Sequence, residues 1–194
     1  MKEKNRSIYI LLTHSGSMFS KAINVYTKDA YTHVSIGLDE DLNELYSFGR
    51  LKPYNPIFGG FIHEDIINGT YGRFPNTRCM LYSLKVNDIQ YKKVVNELRR
   101  FKYDGNKYKY NLIGLVGVMV NYPVERKHSY FCSQFVTEVL IKSGINIIDK
   151  PPGLTSPMDF LNCNDLKLIY EGPLRTYKFL EDYSSNMILQ KEEL

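Results

Sequence analysis

The stretch from Phe131 to Ser143 constrains the fold more than any other. Cys132, Phe135, Val136, Val139, Leu140 and Ser143 recur at i, i+3, i+4 and i+7, the repeat of a helix that buries one face. Gly144 is suited to end it in a left-handed cap. A helix this short gains its stability from packing its apolar face against something else. Strand-like segments upstream can supply that surface. Ser7 to Thr13 reads as a buried strand, Thr32 to Leu38 alternates, Glu44 to Phe48 resumes, and Arg78 to Val86 is again β-rich. Asp39-Glu40-Asp41 interrupts the second and third, so residues 32–48 form a hairpin. The expected class is α+β, with an antiparallel sheet packed against helices.

Further helices are expected over Met18–Tyr26, after the Ser15-Gly16-Ser17 turn, from a cap at Asp88 to about Lys102, and over the apolar run Asn111–Val120. Thr155-Ser156-Pro157 starts a short helix, and Leu166–Tyr170 is a last strand. Residues 49–76 carry Pro53, Pro56, Gly59-Gly60, Gly69, Gly72 and Pro75. They read as irregular apart from a short strand over Phe58–His63, and as a lid or substrate loop. The polar residues 181–194 are expected to fray. Nothing marks a linker or a repeat, so 1–194 is read as one domain, a length that suits one.

With 43% hydrophobic residues the chain can bury a sizeable core, and it lacks the profile of a disordered one. A net charge of +4 does not call for nucleic acid. The basic stretch 91–110 suits anionic lipid, nucleic acid or an acidic partner, although a solvated helix face is the plainer account. No run reaches the roughly 18 apolar residues of a membrane span. Ile8–Leu12 is too short for a secretory core, and three cysteines, Cys79, Cys132 and Cys163, cannot all pair. A cytoplasmic, reducing location is the default expectation.

Cys132 is the residue best placed for chemistry. It opens the amphipathic helix, where unpaired N–H groups and the helix dipole favour a thiolate and can hold an oxyanion. A base is needed, and His33 is the candidate. Strand alternation puts His33, Ser35 and Gly37 on one face. If Leu38 pairs with Leu42, His33 faces Ser47, which then can hold the second ring nitrogen; a loop one residue longer would bring Phe48 there instead. Ser133 and Gln134 follow Cys132 at an end expected to stay accessible. His14 could line the same cleft. No spacing recommends a metal site, and no cofactor is expected.

These two segments carry a resemblance. Thr32-His33-Val34-Ser35-Ile36-Gly37-Leu38 resembles the histidine strand of NlpC-type peptidases, and Tyr130-Phe131-Cys132-Ser133-Gln134-Phe135-Val136 resembles their cysteine helix. The histidine precedes the cysteine, as in the circularly permuted branch with the YiiX/YebB-like hydrolases and lecithin:retinol acyltransferase relatives. The resemblance covers roughly residues 7–145 and implies a permuted papain-like fold. It places a polar third residue at Ser47, where relatives more often carry His, Asn, Gln or Glu, and so admits Glu64 as a substitute. It also implies a tyrosine near the oxyanion site, with Tyr108 the candidate and Tyr110 and Tyr130 its rivals. The implied activity is hydrolysis of an amide in a small peptide, such as a cell-wall-derived fragment, through a thioester. The alternatives are transfer or hydrolysis of lipid acyl groups, with peripheral membrane contact through 91–110 and 112–120, and a non-catalytic binding module.

Overall fold

The structure is a computed structural model that describes residues 6–16, 30–52 and 55–177. Its centre is a six-stranded antiparallel sheet in the order β4-β3-β2-β1-β5-β8. The strands are β1 (Arg6–His14), β2 (His33–Gly37), β3 (Leu45–Lys52), β4 (Asn55–Glu64), β5 (Arg78–Val86) and β8 (Leu166–Pro173). A short parallel pair, β6 (Lys109–Tyr110) and β7 (Ser129–Tyr130), stands apart. Among the described residues these α-helices accompany them: α1 (Gly69–Arg73), α2 (Asp88–Tyr103), α3 (Leu112–Met119) and α4 (Cys132–Lys142). The helix expected over Met18–Tyr26 and the 181–194 tail lie outside the described residues.

β1 is central because it is apolar on both sides. Ile8, Ile10 and Leu12 point into the main core with Val34, Ile36 and Phe48, against Phe135, Val136 and Val139 of α4. Leu11 points the other way, into a smaller core with Leu45, Leu81 and Tyr71. A strand buried on two faces reads as a continuous apolar run, as Ile8–Leu12 does. α2 begins one residue earlier than its sequence cue. Asn87, not Asp88, is the cap, accepting from the Gln90 N–H at 2.9 Å while Gln90 Oε1 accepts from the Asn87 N–H. Asp88 pairs instead with Arg6, N to O 2.9 Å. α4 closes as expected, with Gly144 at φ 76° and the Ile145 N–H reaching the Leu140 carbonyl.

The region 49–76 differs from its expectation. β3 continues to Lys52, and β4 pairs with it from Asn55 to Glu64, with one register shift between Arg50 and Lys52. Proline and paired glycines are local breakers, yet β4 is an edge strand, where both are tolerated. Gly59 is required by its surroundings. A Cβ there would lie 2.8 Å from the Gly49 carbonyl oxygen and 2.8 Å from Tyr110 Cβ. Half of the expected lid, residues 49–52 and 55–64, is therefore sheet, followed by the single turn of α1.

Candidate active site

The hairpin register brings the polar residues together. Ile36 pairs with Tyr46 and Gly37 with Leu45. The loop is thus longer than expected, with the Asp39 carboxylate accepting from the Asn43 and Glu44 N–H groups. Continued along the strands, this register sets Ser35 opposite Ser47 and His33 opposite Gly49. A two-residue slip preserves which face each residue occupies, so Ser47 stays on the face of His33 but is no longer its direct partner. Gly49 gives way to Ile62 rather than to the ring: a Cβ there would lie 2.9 Å from Ile62 Cδ1 but in ordinary contact, 3.6 Å, with His33 Cε1.

Glu64 fills the role expected of Ser47. It ends β4 opposite Leu45, on the same face as His33 and Ser35. His33 Nε2 lies 2.7 Å from Glu64 Oε1. Ser47 Oγ donates to the same oxygen at 2.5 Å, and Ser35 Oγ to Oε2 at 2.8 Å. Tyr71 of α1 donates to Oε2 at 2.9 Å, and its hydroxyl lies 3.3 Å from Thr13 Oγ1. A carboxylate with 5% side-chain exposure is costly to bury unless its oxygens are satisfied. Here four donors satisfy them. Glu64 was visible in the sequence as a substitute, Ser47 as the expected orienter and Ser35 on the His33 face; Tyr71 carried no signal, because long-range pairing brings it in.

Cys132 meets this network from the helix layer. With Nε2 held by Glu64, Nδ1 is the ring nitrogen left for sulfur, and the His33 ring and the Cys132 side chain each favour the other's charged form. The sulfur also receives the backbone N–H groups of Val34 and Ser133. Burial opposes ionisation of Cys132, but the hydrogen bond and charge of His33, with those two N–H groups, hold the thiol below its usual 9.0. Burial likewise opposes the imidazolium, yet the Glu64 charge and the contact with Cys132 raise His33 from 6.5 to about 10. Glu64 is itself held below the usual carboxylate value: burial works against its charge, and His33, Ser47 and Ser35 outweigh it. The three shifts agree on one protonation state, a thiolate, an imidazolium and a carboxylate in line.

The other expected positions are placed differently. Ser133 and Gln134 are buried rather than accessible, and Ser133 Oγ donates to the Thr155 carbonyl at 2.6 Å. That bond fastens the 151–156 loop to the first turn of α4. Tyr108 and Tyr130 belong to an aromatic cluster with Phe48 and Phe101. The Tyr108 hydroxyl accepts from Arg100 at 3.4 Å, and that of Tyr130 donates to Glu138 at 3.3 Å. Both hydroxyls are thus engaged by other side chains, and the two rings pack against Phe48 of β3 and Phe101 of α2. His63 points to the opposite face of the sheet from Glu64, with its Nε2 at 2.7 Å from the Asn43 carbonyl. Among the described residues no group of three or more His, Cys, Asp or Glu could hold a metal ion.

Comparison with known proteins adds no family: no protein-family model, curated protein or solved structure matches the chain.

Proposed function

We propose that the chain is a cysteine-dependent hydrolase acting on an amide in a small peptide, with a cell-wall-derived fragment as the substrate class its resemblance to permuted papain-like enzymes implies. The observation that carries this reading is the His33 ring, held on one nitrogen by buried Glu64 and electrostatically coupled to Cys132 at a helix start. A nucleophile, a base and an orienter in that order are what acyl transfer requires.

In this mechanism the Cys132 thiolate attacks the amide carbonyl, forming a C–S bond. Unpaired N–H groups in the first turn of α4 stabilise the oxyanion. As the C–N bond breaks, the His33 imidazolium gives its proton to the leaving amine. Neutral His33 then takes a proton from water, whose oxygen attacks the thioester. The carboxylic acid leaves, and the thiolate–imidazolium pair is restored. Glu64 keeps its charge throughout and offsets that of the imidazolium.

A thioester on a lipid acyl group would use the same steps. The exposed apolar side chains of α3, described below, are the observation in favour of that second reading. Acid quenching during incubation with an activated acyl ester, followed by intact-mass measurement, tests the shared step. An acyl adduct is expected on Cys132, and none in Cys132→Ser. An unmodified Cys132 throughout turnover would sink the mechanism. Acyl chain length against peptide length in the preferred ester then separates the two substrates.

A further inference from the structure

α3 is built inside out. Its inward positions are small or polar: Gly114, Gly117 and the capping Asn111 are buried. The Asn111 amide accepts from the Gly114 N–H at 2.9 Å and donates to the Val124 carbonyl at 2.9 Å. A Cβ on Gly117 would sit 2.4 Å from the Tyr122 carbonyl oxygen, so the 122–124 segment packs directly on the helix backbone. The large aliphatic residues point outward. Leu112 is 42% exposed, Ile113 55%, Val116 53% and the following Val120 61%, with Tyr122 at 69% beside them. An apolar stripe on a surface helix normally faces the core; here the core side is taken by glycines and the stripe faces out. Contiguous exposed apolar patches of this kind mark interaction surfaces.

The surroundings of the stripe indicate what it meets. Lys109, Arg126, Lys127 and His128 are exposed, against the single carboxylate of Glu125 in the same part of the chain. Backbone pairing gathers them at the base of α3: the Lys109 N–H bonds the His128 carbonyl at 2.9 Å, Lys109 pairs with Ser129, and Arg126 bridges Ser129. Aliphatic side chains, an exposed tyrosine and a basic edge are the elements of a helix lying in the interface of an anionic bilayer. A second copy of the chain is a poorer occupant. Five side chains fall well short of the roughly 20–30 residues per side of a standard protein interface, and two basic edges would face each other.

We infer that α3 and the Arg126–His128 turn form a peripheral docking surface for an anionic lipid bilayer. No helix among the described residues is long and apolar enough to cross a membrane, so the contact is interfacial. The docking surface is tied to the nucleophile. The basic turn runs directly into β7 and Cys132, and the turn at Pro152–Leu154 packs on both α3 and α4. This inference stands on the outward stripe and the basic edge, independently of the chemistry at Cys132.

Co-sedimentation of the full chain with vesicles of phosphatidylcholine, with and without phosphatidylserine, tests it. Binding is expected to phosphatidylserine vesicles and to weaken with added salt. The double variant Ile113→Glu/Val116→Glu is expected to weaken it by at least about tenfold, and Lys109→Glu/Lys127→Glu to abolish the preference for phosphatidylserine. All four positions are exposed, and an unchanged alkylation rate of Cys132 reports an intact fold. Failure to bind either vesicle overturns the inference, as does equal binding of wild type and both variants. So does a dimer in light scattering that Ile113→Glu/Val116→Glu dissolves, which would assign the stripe to a second copy.

Discussion

Replacing Glu64 by alanine is expected to destabilise the protein by about 3–5 kcal/mol, the usual cost of removing one partner of a buried ion pair. The loss strands four donors at once: His33, Ser35, Ser47 and Tyr71 all end on this carboxylate. Glu64→Gln keeps the volume and one acceptor, and the three hydroxyls can turn to accept from the new amide. Its cost is expected to be nearer the roughly 1–3 kcal/mol of an imperfectly satisfied buried group. The glutamine variant nevertheless removes the charge that raises His33. His33 should then lose its proton near neutral pH, and Cys132 should revert towards an ordinary thiol. Urea unfolding at constant pH reads the stability order, with wild type above Gln and Gln above Ala. A Glu64→Gln protein with unchanged midpoint and unchanged thiol reactivity would remove Glu64 from the site.

The second large effect concerns stability against pH. His33 is raised from 6.5 to about 10, so its contribution is complete below about 6.5 and is lost as pH rises towards about 10. Cys132 is lowered from 9.0, so its contribution is complete above about 9 and is lost as pH falls through the lowered value. Between the lowered Cys132 value and about 9 the two slopes oppose each other: folding takes up a proton at His33 and releases one at Cys132. Wild-type stability from this pair is therefore expected to be flat across that window. Cys132→Ser removes the releasing group while Glu64, whose charge does most to raise His33, remains. Its stability should fall with rising pH relative to wild type, at up to about 1.4 kcal/mol per pH unit. Chemical unfolding of both proteins at several pH values gives the difference directly; parallel curves would show that the pair does not exist as ions.

Much of the scaffold was legible because it follows local periodicity. The 131–143 repeat became α4 within a residue at each end, and the strands over Ser7–Thr13 and Arg78–Val86 follow their apolar pattern. The hairpin was legible in parity but not in register. Asp39 caps a longer loop, which no strand pattern specifies, and the two-residue slip moved Ser47 from His33 to Ser35 without changing its face. β4 was legible only in part. A strand was expected over Phe58–His63, but its extension to Asn55 and Glu64 was not, because Pro56 breaks structure by local rules and only the pairing with β3 at the sheet edge makes a strand there. Glu64 depends on that pairing, so its place beside His33 emerges only with the sheet. Tyr71 enters from a five-residue helix with no periodic signature. Tyr108 and Tyr130 illustrate the opposite error: among 16 tyrosines, position near the cysteine helix does not distinguish an oxyanion donor from a core aromatic.

Ionisation of Cys132 by His33, with Glu64 holding the ring in place, is the step on which the proposed chemistry depends. Its most direct test is the alkylation rate of each cysteine by iodoacetamide as a function of pH, read peptide by peptide by mass spectrometry. Cys132 is expected to react as a thiolate below pH 9. Cys79, whose thiol burial pushes up to about 12, and Cys163, also raised by burial, should stay slow. In His33→Ala the Cys132 inflection should move up to the ordinary thiol range or beyond it. An inflection of wild-type Cys132 at or above 9, unmoved by His33→Ala, would contradict the account.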